Sequence, residues 1–142
     1  MKILLPADGS PSSSRAVRYV IRHWGGKQDR RRLSLILLYV DPPLPERVAR
    51  VLPAETRASY HQDHAELAMR PARRVLRKAG LEFEERHAVG DPGMFAVAIA
   101  AKERCDLIAM GSHGRGAFLS AVLGSVVMKV LSRSKVPVLV VR

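Results

Sequence analysis

Four short stretches of this chain are almost entirely apolar, and each stops at glycine, proline, serine or charge. They are Lys2 to Ala7, Leu33 to Val40, Asp106 to Met110 and Val136 to Val141. Leu33 to Val40 shows almost no polar alternation, so it reads as a strand covered on both faces. Between the runs lie segments of helical period. Ser10 is a natural N-cap with Pro11 in the first helical position, and Val17, Val20, Ile21 and Trp24 then recur every three or four residues up to Gly25-Gly26. A long helix is expected from about Glu55 to Ala79, with Ala65, Ala68, Met69, Ala72, Leu76 and Ala79 inward, a kink at Pro71 and a stop at Gly80. Leu81 to Val89 alternates, with Leu81, Phe83 and Glu85 on one side, which predicts a half-exposed strand near a sheet edge. Gly90-Asp91-Pro92 repeats the cap-and-proline signal before a helix whose apolar face is read as Phe95, Ala98 and Ile99. Asp41 to Pro53, with four prolines and no clean period, reads as a loop, mobile or partly helical, over the rim of a site. Strand and helix alternate and end on a strand. This predicts one α/β domain, residues 1–142, with an open five-stranded parallel sheet and helices on both faces, a Rossmann-like arrangement.

Length and composition agree with a single globular domain. At 142 residues, with 47% hydrophobic and 26% charged residues, the chain can bury a core without disulfides, and its one cysteine, Cys105, forbids an internal one. No stretch approaches a membrane span, and the N-terminal apolar run meets Asp8 too soon for a signal peptide, so a cytoplasmic location is expected. The net charge of +11 is uneven: the excess lies in residues 1–40 and 91–142, while 41–90 are nearly balanced. A parallel fold brings those ends together, which favours anionic partners such as nucleotide phosphates or nucleic acid.

The chemistry concentrates between Gly111 and Ser125, after the Asp106–Met110 strand and before a helix read from Val126 to Leu131. In open α/β folds, ligands bind at the carboxyl ends of strands. Glycines there let backbone approach a phosphate, and the free N–H groups of the next helix supply donors. Gly111, Gly114, Gly124 and Ser125 satisfy Gly-x2-Gly-x9-Gly-[Ser/Thr]. A chain this long meets that spacing by chance roughly once in two hundred tries. The Walker spacing is absent, and Gly111/Gly114/Gly116 does not give the dinucleotide fingerprint.

With this loop the chain resembles the universal stress protein family, in its ATP-binding subclass. Pro6-Ala7-Asp8-Gly9-Ser10, the Val40 end of the second strand, Val89-Gly90-Asp91-Pro92 and Val136-Pro137-Val138 look like further landmarks of that family. The resemblance implies strand order 3-2-1-4-5, a relation to adenine nucleotide alpha hydrolase-like folds, and a nucleotide where the first and fourth strands diverge. It implies that Asp8, at the Pro6-Ala7-Asp8 strand end, and the backbone of Val40 hold adenosine. Gly111, following Met110, would lie against the ribose, and Gly114, Gly124, Ser125 and the Val126 N–H would cradle phosphates. His113 and Arg115 stand inside the loop, where they read equally as contacts to phosphate oxygens and as a solvated loop tip. The family also implies ATP carried with Mg2+ or Mn2+, the phosphates and water supplying most ligands. Ala7 stands where many relatives carry valine or threonine.

The expected function is an ATP-binding switch or regulator of a stress response. Two alternatives stay open: a weak ATP hydrolase or nucleotidyl-transfer enzyme, and a basic module for nucleic acid or a protein partner. No general base or catalytic lysine is evident near the loop, and no residue is assigned as catalytic or as a metal ligand. His61 and His64, three apart near Glu66, lack a third assured ligand and read as a solvated face. Asp8 before Gly9 also reads as a turn former. Ser12-Ser13-Ser14 reads as a polar helix start, with phosphorylation as the alternative, and Cys105 as a small packed group. The apolar last strand, Val136 to Val141, invites pairing with a second copy, and the resemblance implies an antiparallel homodimer.

Overall fold

A computed structural model describes residues 1–26, 32–114 and 123–142. Its elements are β1 (Lys2–Pro6), α1 (Pro11–Trp24), β2 (Ser34–Asp41), α2 (Glu46–Val51), α3 (Ala54–Lys78), β3 (Glu84–Val89), α4 (Pro92–Lys102), β4 (Leu107–Gly111), α5 (Ser125–Arg133) and β5 (Val138–Val141). The strands form one sheet in the order β3-β2-β1-β4-β5, every neighbouring pair parallel. This is the order that the resemblance implied.

The period of two along β1 and β2 divides the core. Ile3, Leu5, Leu35, Leu37 and Tyr39 face one side and pack with Val17 and Val20 of α1 and Ala65, Ala68, Met69, Ala72 and Leu76 of α3. Leu4, Ile36, Leu38 and Val40 face the other, against Ala96 and Ala100 of α4 and Val127 and Val130 of α5. Strands covered on both faces have no use for alternation, which is why β2 reads as a continuous apolar run. At the edge strand β3 the alternation returns. Leu81 and Phe83 turn toward the core, and Glu85 is half-buried where the Arg73 guanidinium meets it at 2.7 Å while also reaching Glu66 at 2.8 Å. The two carboxylates hold the guanidinium charged well above its ordinary range and tie α3 to β3.

Local chemistry sets the helix starts. The Ser10 hydroxyl accepts from the Ser13 N–H at 3.1 Å, and the Asp91 carboxylate accepts from the Met94 N–H at 2.9 Å. Lys129 of α5 pairs with the same Asp91. Ser12, Ser13 and Ser14 are all buried in the first turn of α1, which fits the reading of the triplet as a packed helix start. Cys105 is buried just before β4, and burial raises its thiol pKa.

Several expectations need correction. β2 continues through Asp41, one residue into the stretch read as loop, while the partly helical alternative for that stretch holds: Glu46–Val51 forms the short helix α2, starting behind Pro45 and supported by a Glu46–Arg50 pair one turn apart. On α4, Phe95 and Ile99 pack half-buried against the core as expected, but Ala98 is exposed and the fully buried stripe is Gly93, Ala96 and Ala100. Small residues were needed there because α4 packs closely on α5; a Cβ on Gly93 would lie 3.0 Å from the Lys129 side chain. β3 begins at Glu84 rather than Leu81, and β5 at Val138 rather than Val136.

Leu5 sits on the central strand with no exposure. Leu5→Ala is expected to destabilise the protein by about 2–5 kcal/mol through lost burial and a residual cavity. Urea unfolding checks this, and a loss well under about 1 kcal/mol would contradict the two-faced burial of β1.

Candidate functional site

β1 and β4 are neighbours, yet the chain leaves them in opposite directions. β1 leads to α1 on one face and β4 to α5 on the other. Such a switch point opens a crevice above the strand ends. The crevice here is a cavity of about 660 Å³, lined from the ends of β1, β2 and β4 and from the start of α5. That is within the range of small-molecule sites.

Eleven of the twelve sequence-predicted residues line this one cavity: Pro6, Ala7, Asp8, Val40, Met110, Gly111, His113, Gly114, Gly124, Ser125 and Val126. Arg115 lies outside the described residues. Asp8 works at the turn that starts α1, its Oδ1 accepting from the Ser10 N–H at 2.9 Å. The turn-forming reading of Asp8 is therefore fulfilled in one oxygen. Its other oxygen faces Gly114, 3.0 Å from where a Cβ would stand, and no other atom of the described residues crowds that position within 4 Å. A side chain at Gly114 would thus project into the cavity beside Asp8. Gly111 is glycine for another reason. Its missing Cβ would collide with Ser12 at 2.5 Å, so packing of α1 against β4 excludes a side chain there.

The two ends of the loop are clasped. The Ser112 N–H donates to Val141 and the Gly124 N–H donates to Ser112, both at 2.9 Å. The Ser112 hydroxyl lies 2.9 Å from His113 Nδ1, and the His113 N–H reaches Ser12 Oγ at 3.4 Å. Gly124 then opens α5, and no side chain of the described residues caps that helix. Its first internal bond runs from the Met128 N–H to the Gly124 carbonyl, which leaves the N–H groups of Ser125, Val126 and Val127 without intrahelical acceptors. Together with Gly114 they form a donor-rich rim with the positive end of a helix dipole.

The β2 side of the cavity differs. The Ala7 N–H donates to Leu38 at 2.8 Å, and the Gly90 N–H donates to Asp41 at 2.9 Å. Backbone groups two residues apart on a strand point the same way, so Val40 presents its N–H and carbonyl toward β1. β1 has ended by then, and this edge opens on the cavity.

The stretch expected over the rim does reach the site: Asp41, Pro42, Pro43, Leu44 and Pro45 line the cavity beyond Val40. Sequence reasoning missed Tyr60 and His64, which line the same wall. Asp41 is 4% exposed, and its carboxylate accepts from the Tyr39 hydroxyl at 2.6 Å, from His61 Nδ1 at 2.5 Å and from His64 Nδ1 at 3.1 Å. Burial alone would raise its pKa; the Tyr39, His61 and His64 donors outweigh that and hold the carboxyl below its ordinary value. The two histidines are thus not a solvated pair: His61 is spent on Asp41, as is the Nδ1 of His64. Among the described residues no group of three or more His, Cys, Asp or Glu side chains is arranged to hold a metal ion. The only sequence signal for this cluster was the three-residue spacing of the histidines.

Asp41→Asn replaces an acceptor of three hydrogen bonds with a half-donor, at an expected cost of about 1–3 kcal/mol near neutral pH. The wild-type carboxylate supplies its stability above the ordinary value of 3.8 and loses it as pH falls through the lowered value. Urea unfolding of both proteins should therefore show a gap that is widest above about pH 4 and shrinks below it. A gap that stays constant into strong acid would contradict the assignment.

The profile of the Universal stress protein family matches residues 1–142. Universal stress protein Rv1636 of Mycobacterium tuberculosis is 30% identical over 140 residues, spanning 98% of this chain and 94% of the relative. The solved structure of protein MJ0577, from Methanocaldococcus jannaschii, aligns with a TM-score of 0.82 at 30% identity, over 99% of this chain and 94% of the other. A universal stress protein solved in complex with cAMP aligns at 0.71 with 27% identity, over 100% and 97%. Sheet order, loop spacing and full-length match agree: the chain belongs to the universal stress protein family.

Proposed function

We propose that residues 1–142 act as one domain that binds ATP at the β1–β4 switch point and serves as a nucleotide-dependent regulator of a stress response in the cytoplasm. The observation that carries the reading is the space beside Asp8 at Gly114, facing the N-terminus of α5. Backbone donors around a position that bears no side chain of its own suit phosphate oxygens. The open N–H and carbonyl of Val40 suit the edge of an adenine, and the Asp8 oxygen that faces Gly114 suits a ribose hydroxyl. A relative solved with cAMP supports a nucleotide ligand.

The described residues fit the nucleotide better than they fit a bare ion. Gly114, Gly124 and Ser125 would meet the phosphates, and Asp8 is the carboxylate at hand. A bound Mg2+ or Mn2+ would supply charge neutralisation between phosphate oxygens, held mainly by those oxygens and water.

Titration calorimetry with ATP and magnesium tests the reading; absence of heat at millimolar nucleotide would end it. Gly114→Val is expected to weaken binding by at least about tenfold, or more than 1.4 kcal/mol, because its side chain enters the space beside Asp8. Unchanged affinity in that variant would displace the phosphates from Gly114.

The same proposal includes a homodimer through β5. This strand is a sheet edge, and Val138 to Val141 are only half-buried. An unpaired apolar edge is a template for a second strand, here about a two-fold axis. Light scattering at micromolar concentration should give twice the chain mass of 15.7 kDa. A monomer would refute the pairing.

A further inference from the structure

Selection of a base by this cavity presupposes the nucleotide reading, which assigns the opposite end to phosphates. In the sheet, β2 and β4 flank β1, so their ends stand two strand spacings apart, about 10 Å. A phosphate held at the β4–α5 corner therefore sets its base against the end of β2. The wall there is Val40, Asp41, Tyr60 and His64.

The His64 ring is held on two sides. Its Nδ1 lies 3.1 and 3.2 Å from the two oxygens of Asp41, and the ring sits beside Tyr60, centroids 4.0 Å apart and planes tilted by 48°. Asp41 is a buried carboxylate that accepts hydrogen bonds, so the hydrogen on the imidazole belongs to Nδ1. In the neutral ring this leaves Nε2 as a bare acceptor. His61, bound to the same carboxylate at 2.5 Å, and Tyr39, at 2.6 Å, keep that oxygen pair from turning away. The result is an imidazole held in the wall at the base end of the cavity, with Nε2 as its remaining polar atom.

A bare acceptor there prefers a donor. A 6-amino purine offers one, whereas a 6-oxo purine offers another acceptor at the same place. We infer that His64 is a specificity-determining residue, which selects amino-bearing over oxo-bearing purine nucleotides through Nε2, and that Asp41 is the positioning residue that sets its tautomer. Tyr60 stands beside the ring. The Val40 backbone edge contributes to the same reading but cannot be changed by a side-chain substitution, so His64 is the separable part.

The test is calorimetry on the full chain with ATP, with inosine triphosphate, which carries the 6-oxo group, and with purine riboside triphosphate, which lacks a 6-substituent. Wild type is expected to bind ATP at least about tenfold more tightly than the inosine nucleotide, as one good hydrogen bond against one repelled acceptor implies. His64→Ala should narrow that gap to about threefold or less while changing the affinity for the unsubstituted purine by no more than about twofold. Asp41→Asn should narrow the gap in the same way with His64 still present, an effect that a merely structural role would not produce. A melting temperature within a few degrees of wild type shows that the His64 variant is folded; that side chain is 35% exposed, so its removal leaves the core intact. An ATP-to-inosine ratio equal in wild type and His64→Ala overturns the inference, even if both affinities drop together. Equal binding of the two nucleotides by wild type also overturns it, and leaves the nucleotide site standing. Binding of none of the three by wild type overturns the nucleotide reading itself, and this inference with it.

Discussion

The structure depends on one arrangement: two adjacent parallel strands whose chains depart to opposite faces. β1 and β4 pair through Ile3–Leu107 and Leu4–Ile108, and beyond that pairing α1 and α5 diverge. No side chain from a single layer can fill the gap that this leaves. The polypeptide lines it instead with strand-end backbone, glycines and a helix N-terminus, groups rich in N–H donors that the helix itself does not use. The cavity is thus a consequence of strand order before it is a consequence of any particular residue. What the residues decide is which chemistry the gap accepts.

Two kinds of decision are visible. At the β4–α5 side, glycine dominates: Gly111 because Ser12 of α1 presses against it, Gly114 where, among the described residues, only the Asp8 carboxylate comes near. The same amino acid answers a packing demand at one position and leaves room at the other. At the β2 side, side chains are abundant and immobilised. A buried carboxylate gathers a phenol and two imidazoles, and the prolines that follow Asp41 stiffen the rim above them. A donor-rich backbone end and a rigid, directional side-chain end make an asymmetric site, suited to a ligand whose two ends differ in charge and shape.

The sheet was legible because burial on both faces writes itself as uninterrupted apolar residues, as in Leu35 to Tyr39, and the helices because Ser10 and Asp91 cap them visibly. The glycine loop was legible because its spacing is rare. The face of α4 was legible only in part: Phe95 and Ile99 show, but the fully buried stripe of Gly93, Ala96 and Ala100 carries little hydrophobic signal. The helical part of the stretch after Asp41 was foreseen without bounds, because its prolines break the period on either side of a six-residue helix. The Asp41 cluster was illegible for a different reason. His61 and His64 meet a carboxylate 20 and 23 positions earlier, and no local pattern announces a contact created by packing α3 on β2.

The clasp between Ser112 and Gly124 bears on how such a chain changes over generations. Ser112 is tied to β5 and Gly124 to Ser112, so the start of α5 is anchored to the sheet edge through backbone groups alone. Side-chain exchanges at Ser112, Val141 and their neighbours that spare those backbone bonds leave the anchor in place. The bearing of the helix is thereby insulated from much of the drift in the side chains around it.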